Sequence, residues 1–136
     1  MTVPVVFCRA CLGIEAPLVS VEIHLSSGLP AFNIVGLPET AVRESKDRVR
    51  SAIMNSGYEF PTRRITVNLA PGDLPKHGTR FDLAIALGIL AASQQIDGDV
   101  LTGIECIAEL ALTGHLRAVS GMLPAALAAS TVDRAL

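Results

Sequence analysis

Two cysteines three residues apart, Cys8 and Cys11, have a spacing that in other settings grips zinc or cycles a disulfide. A zinc site takes four ligands, usually from two such pairs, and this chain has only Cys106 and three scattered histidines to add. If the run around Cys8 is a strand, the two thiols point to opposite faces and cannot share a metal without a bulge. The reading is of buried structural cysteine and no metal site. A second candidate is GDLPKHGT (72–79), set between a strand and a helix as a phosphate loop must be. A GxxxxGK[ST] loop needs a Lys that reaches the terminal phosphates and a hydroxyl that holds magnesium. His77 and Gly78 stand where its Gly and Lys belong, so no ATP site is read here.

Acid–base chemistry finds as little support. There is no G-x-S-x-G elbow, and His24, His77 and His115 are isolated. Glu105 and Glu109, four apart, would share a face of a regular strand; a paired-carboxylate site there competes with a solvated or interface edge. Basic residues gather in three places: Arg43, Lys46, Arg48 and Arg50 in one helix, Arg63 and Arg64 at a strand start, Lys76 and Arg80 in the loop before the next helix. Glu44 and Asp47 dilute the first group into a solvated face. Arg63, Arg64, Lys76 and Arg80 are the candidate nucleic-acid-binding residues, because phosphate contact needs clustered cations rather than a basic total.

The elements that must position these groups follow from periodicity. Residues 3–12 and 16–25 read as strands, with Val19, Val21, Ile23 and Leu25 alternating against Ser20, Glu22 and His24. Gly13 supplies the turn of an antiparallel hairpin, and 31–36 is a third strand. From Pro38 the period changes to helical, with Glu39 in the first turn and Gly57 at the stop. Arg43 with Asp47 and Glu44 with Arg48 form i,i+4 pairs along it. A strand over 63–71, a loop, and an apolar helix over 81–93 come next. The segment 104–112 reads as a strand, turned at Thr113-Gly114 onto 115–119, and a last helix starts after Gly121. The final TVDRAL offers neither strand nor cap, so the domain, 1–136, is expected to be incomplete at its C-terminal end. The order predicts an α+β fold, a mixed sheet with helices on one face.

Composition sets the outer limits. One domain's length, half of it apolar, 4% aromatic and without Trp, makes a core of Val, Ile, Leu and Ala. A net charge of -2 excludes a surface that is basic throughout but leaves room for a local basic face. The longest apolar run, Leu83 to Ala92, is too short for a bilayer, and no basic region precedes the apolar opening as a secretory signal requires. With an odd number of cysteines, reduced thiols and a cytoplasmic location are expected, with no membrane partner.

Four stretches resemble one known family in matching order along nearly the whole chain: LGIEAP (12–17), GLPAFNIVGLPE (28–39), AVRESKDRVRSA (41–52) with NSG (55–57), and ITVNLAP (65–71) running through Lys76 to FDLAIALG (81–88). They are similar to the ComM/YifB proteins, a Mg-chelatase-like group of AAA+ ATPases. The resemblance implies a ribosomal-protein-S5-domain-2-like fold, a two-layer sandwich akin to the proteolytic domain of Lon. It implies an AAA+ module downstream, with ATP and Mg2+ bound there and no cofactor in this segment. It also implies a hexameric full-length protein, an ATP-dependent helicase driving DNA branch migration during natural transformation, to which this domain would be a non-catalytic accessory. Lon-type proteases place a nucleophilic Ser two residues after a Gly before the central helix, and a Lys two residues after a Gly opening a later one. The matching positions are Arg80 and Leu123, neither able to form that dyad. A divergent peptidase using Ser120 or Thr79, and a module of a metal-inserting chelatase, are the alternatives.

Overall fold

Val19, Val21, Ile23 and Leu25 are buried while Ser20, Glu22 and His24 between them are not, so the alternation read in the sequence is the alternation of a sheet with one covered face. The structure, a computed structural model, describes residues 3–136. Its main sheet holds β1 (Val5–Arg9), β2 (Leu18–Ser26), β3 (Ala31–Val35) and β4 (Arg64–Ala70), in the order β1-β2-β4-β3. β1 pairs β2 antiparallel, β2 pairs β4 antiparallel, and β3 runs parallel to β4 at the edge. The register puts Val6 beside Val21, Ile23 beside Val67 and Phe32 beside Ile65, successive apolar pairs across the four strands.

Helix α3 (Asp82–Ala92) lies on β1 and β2, and α2 (Ser45–Asn55) packs against α3. The architecture is α+β, a mixed sheet carrying its helices as a second layer. α3 approaches closely because Gly88 faces β2: a Cβ there would lie 2.4 Å from Ile23 Cγ1. No helix among the described residues is long and apolar enough to cross a membrane.

Three expectations are corrected. The helix after Pro38 is two helices, α1 (Thr40–Arg43) capped by Glu39, and then α2. At the break the Ser45 hydroxyl donates to Val42 O at 2.7 Å, competing with the helical ladder. Arg48 keeps the expected Glu44 pair at 4.0 Å but gains the closer Asp82, bidentate at 2.7 and 3.1 Å, and among the described residues Arg43 forms no ion pair with Asp47. Second, 104–112 is no continuous strand. Only β5 (Glu109–Leu110) pairs with β6 (Leu116–Arg117), before α4 (Met122–Thr131). Third, the final segment does pair: Glu105 N donates to Ala135 O at 2.7 Å and Ala135 N to Gly103 O at 3.0 Å.

A buried ion triad explains the second and third. Glu105, 2% exposed, accepts from Arg9 Nε and Nη2 at 2.7 and 3.0 Å and from Arg134 Nε at 2.9 Å. The Arg134 guanidinium lies 4.1 Å from the Phe7 ring centre, and Arg9 donates onward to Ala16 O. The triad therefore adds to single main-chain bonds, such as Cys106 N to Phe7 O at 2.8 Å, in tying 104–108 and the last residues to β1. Burial alone would raise the Glu105 carboxyl, but the bonds from Arg9 and Arg134 outweigh it and hold it below the ordinary 4.5. Glu105→Gln strands two buried cations and is expected to lower urea-measured stability by about 3–5 kcal/mol. Because the folded value is depressed, the Glu105 contribution is complete above pH 4.5 and fades as pH falls through the folded value, an acid-side component that the variant lacks.

Candidate functional site

The loop between β4 and α3 holds Lys76, His77, Thr79 and Arg80 of the residues singled out for chemistry, and its Lys decides its character. Lys76 is fully buried, its Nζ donating to Gly36 O at 2.6 Å and also to Pro71 O. Main-chain bonds surround it: Lys76 N to Leu37 O and Glu39 N to Lys76 O, both 3.0 Å. Glu39 Oε1 accepts from Gly78 N at 2.8 Å as well as from Ala41 N. The turn carrying Gly36 presses on β4 so tightly that a Cβ would lie 2.2 Å from Leu69 O, at a φ of +108° that itself favours glycine. Burial lowers the Lys76 ammonium below its ordinary value. A lysine turned inward onto two carbonyls cannot also reach a phosphate. The loop has the setting of a nucleotide loop and the opposite polarity of use.

Arg80 is likewise internal, 6% exposed, with Nε on Arg9 O at 2.8 Å and Nη1 on Ser120 O at 3.0 Å. This joins the loop before α3 to the residues opening α4. Leu123, the second lost dyad position, is 70% exposed on that helix. Arg80 acts there as a structural donor, and a guanidinium takes up no proton. Of the alternative nucleophiles, Thr79 lies near Glu109, and its hydroxyl with Arg117 at 3.1 Å holds that carboxyl below its usual value. Ser120 has its carbonyl engaged by Arg80.

The expected face shared by Glu105 and Glu109 does not exist, because the segment is not a regular strand: Glu105 is buried in its triad and Glu109 pairs with Arg117 at the β5–β6 hairpin. Cys8 is buried and Cys11 exposed, but β1 ends at Arg9 rather than at residue 12, so the two thiols part because Cys11 lies in the connection beyond the strand. Burial pushes the Cys8 thiol up to about 12 and also raises Cys106. Among the described residues no three His, Cys, Asp or Glu side chains come together as a metal site.

Of the four cations expected to meet nucleic acid, Arg63 and Arg64 are exposed, while Lys76 and Arg80 are turned inward and are removed from that set. The four do not form one surface, because the interior had carbonyls needing donors. In their place Arg63 lines an open cleft of about 800 Å³ between β3 and α2, with Phe32, Arg50, Met54, Tyr58, Glu59 and Phe60. The sequence carried a usable signal for this cleft in Tyr58 and Phe60, scarce rings placed just ahead of Arg63 and Arg64.

Comparison with known proteins agrees with this frame. Residues 21–135 match the family model described as subunit ChlI of Mg-chelatase. The chain is 58% identical over 136 residues to the competence protein ComM of Haemophilus influenzae, covering 100% of this chain and 27% of that protein. It is 54% identical over 134 residues to YifB of Salmonella typhimurium (98% and 26%), and 56% identical over 126 residues to YifB of Escherichia coli (93% and 25%). This chain belongs to the ComM/YifB family of Mg-chelatase-like proteins. It spans about a quarter of the length of these curated relatives.

In this ComM/YifB-family domain, thiol and lysine behaviour are direct tests of the geometry. Iodoacetamide at mildly alkaline pH is expected to label Cys11 in the native protein and to spare Cys8 and Cys106, with all three labelled after unfolding, read by mass spectrometry. The raised Cys8 value makes its contribution to stability complete below about 9 and progressively lost as pH rises from there towards 12. Lys76→Met leaves the Gly36 and Pro71 carbonyls unpaired and is expected to cost about 1–3 kcal/mol for each in urea unfolding. Its effect on DNA affinity is expected to be nil.

Proposed function

We propose that this chain is the N-terminal, non-catalytic domain of a ComM-like AAA+ ATPase, a cytoplasmic hexamer that drives DNA branch migration during natural transformation. ATP and Mg2+ are bound, in this reading, by a module that follows Leu136. The observation that carries it is the use of the site positions in a chain of this family: Lys76 and Arg80 hold main-chain carbonyls, and Leu123, which the resemblance aligns with the lysine of a Lon-type protease, has no proton chemistry. The α+β layers and mixed sheet support assigning the domain to the ribosomal-protein-S5-domain-2-like, Lon-like group.

A domain of this kind contributes assembly and DNA contact rather than bond-breaking. Its solvent-facing arginines at the start of β4, Arg63 and Arg64, support the DNA side of the proposal. The test uses the full-length protein beside a form lacking residues 1–136. Deletion is expected to leave ATP hydrolysis per subunit within about a factor of three (~0.65 kcal/mol), while branch migration of a synthetic forked junction falls to background. Retained branch migration would overturn the accessory role. Cleavage of a casein substrate by the full-length protein, lost in Ser120→Ala or Thr79→Ala, would replace it with the peptidase reading.

A further inference from the structure

We propose that the cleft between β3 and α2 is a binding site for single-stranded nucleic acid, with bases stacking on Tyr58 and Phe60 and phosphates lying against Arg50 and Arg63. The proposal rests on the DNA-acting reading above and deepens it: it names the strand form bound and the residues that bind it.

The argument begins with where the rings are. The chain has four Phe and one Tyr. Phe81 is 1% exposed in the core, and Phe7 is covered by Arg134. The other three, Phe32, Tyr58 and Phe60, all line the one cleft. Tyr58 is 42% exposed and Met54 beside it 55%, apolar surface that no element of this domain covers. The Phe32 and Phe60 ring centres stand 5.7 Å apart, and the Arg50 guanidinium lies 5.3 Å from that of Phe60. Ring, ring and cation thus form a short ladder leading out to solvent.

The second line of argument is charge. Arg9, Arg48, Arg117 and Arg134 each pair with a carboxylate, whereas Arg50 and Arg63 pair with none among the described residues. Glu59 is the single carboxylate among the lining residues. Two guanidiniums without a carboxylate partner, Arg63 and the Arg50 that lies over Phe60, match a phosphate chain whose bases are free to leave it. Base stacking on aromatic side chains and arginine planes is how single strands are held without sequence preference. A duplex hides its base faces and can use only the arginines. At about 800 Å³ the cleft falls within the roughly 300–1,000 Å³ of ordinary ligand sites.

The experiment measures binding of the full-length protein, without ATP, to an oligothymidylate of about 20 bases, long enough for a single-strand site, and to a duplex of the same length. Tyr58→Leu/Phe60→Leu keeps the apolar volume and removes the stacking faces. It is expected to weaken single-strand binding about tenfold or more while leaving duplex binding within about twofold. Tyr58→Phe/Phe60→Tyr is expected to restore it. Arg50→Gln/Arg63→Gln is expected to weaken both forms and to reduce the single-strand salt slope by about 1–1.5. With bromodeoxyuridine in the strand, photo-crosslinks are expected at Tyr58 or Phe60.

Wild-type binding that the leucine variant leaves unchanged, with crosslinks only elsewhere, overturns the cleft and leaves the DNA-acting reading standing. Failure of the wild type to bind either DNA removes both. A leucine variant that changes subunit assembly at unchanged affinity makes the cleft a protein contact, which also overturns the proposal.

Discussion

Four cations of this domain direct donors at main-chain carbonyls: Arg9 at Ala16, Arg48 at Ala41, Lys76 at Gly36 and Pro71, and Arg80 at Arg9 and Ser120. The constraint behind them is general. Where irregular backbone is buried, its carbonyls have no ladder to join, and each left unpaired is costly. Here the turn after β3, the loop after β4, the start of α4 and the hairpin near Ala16 all meet the sheet at such places. Long side chains with several donors solve the problem at a distance that neighbouring backbone cannot span. Two of these cations, Arg9 and Arg48, are also neutralised by buried carboxylates, Glu105 and Asp82, whereas among the described residues Lys76 and Arg80 are held by carbonyls alone and Arg80 Nη2 is buried without a partner.

That solution decides what the domain can do. Lys76 lies in a loop with the setting of a phosphate site, and Arg80 lies just ahead of α3 with its guanidinium on the Arg9 and Ser120 carbonyls. In both, the functional end of the side chain is used to hold the fold. The same side chain cannot be a buried donor to carbonyls and a free reagent. Asp82 shows the tension on the acidic side: burial raises its carboxyl, while Arg48 and the Leu110 N–H work against that rise. What the interior does not use is left outside, on α2 and ahead of β4, where Arg50, Arg63 and three aromatic rings share an open cleft.

Much of the fold was legible in the residues. β1, β2, β3, β4, α3 and α4 all lie where alternation, helical period, glycine and proline had placed them, because those signals are local and their burial is satisfied by one sheet face. The failures have two causes. The break at Glu44 is local, made by the Ser45 hydroxyl on Val42 O, whereas the loss of a continuous strand over 104–108 and the pairing of Ala135 with Gly103 depend on partners far away in the chain. No window of sequence contains both Arg9 and Glu105.

The sequence by itself determined the elements, the single apolar face and, through its motifs, the family. Charge and spacing also identified which side chains were chemically eligible. Only the tertiary structure decided which of those cations face water. Arg63 and Lys76 are equally basic as letters, but one stands at a strand end with no carbonyl to satisfy and the other is enclosed by two. A side chain's charge is a property of its residue; whether that charge is available depends on the unpaired groups that folding brings around it.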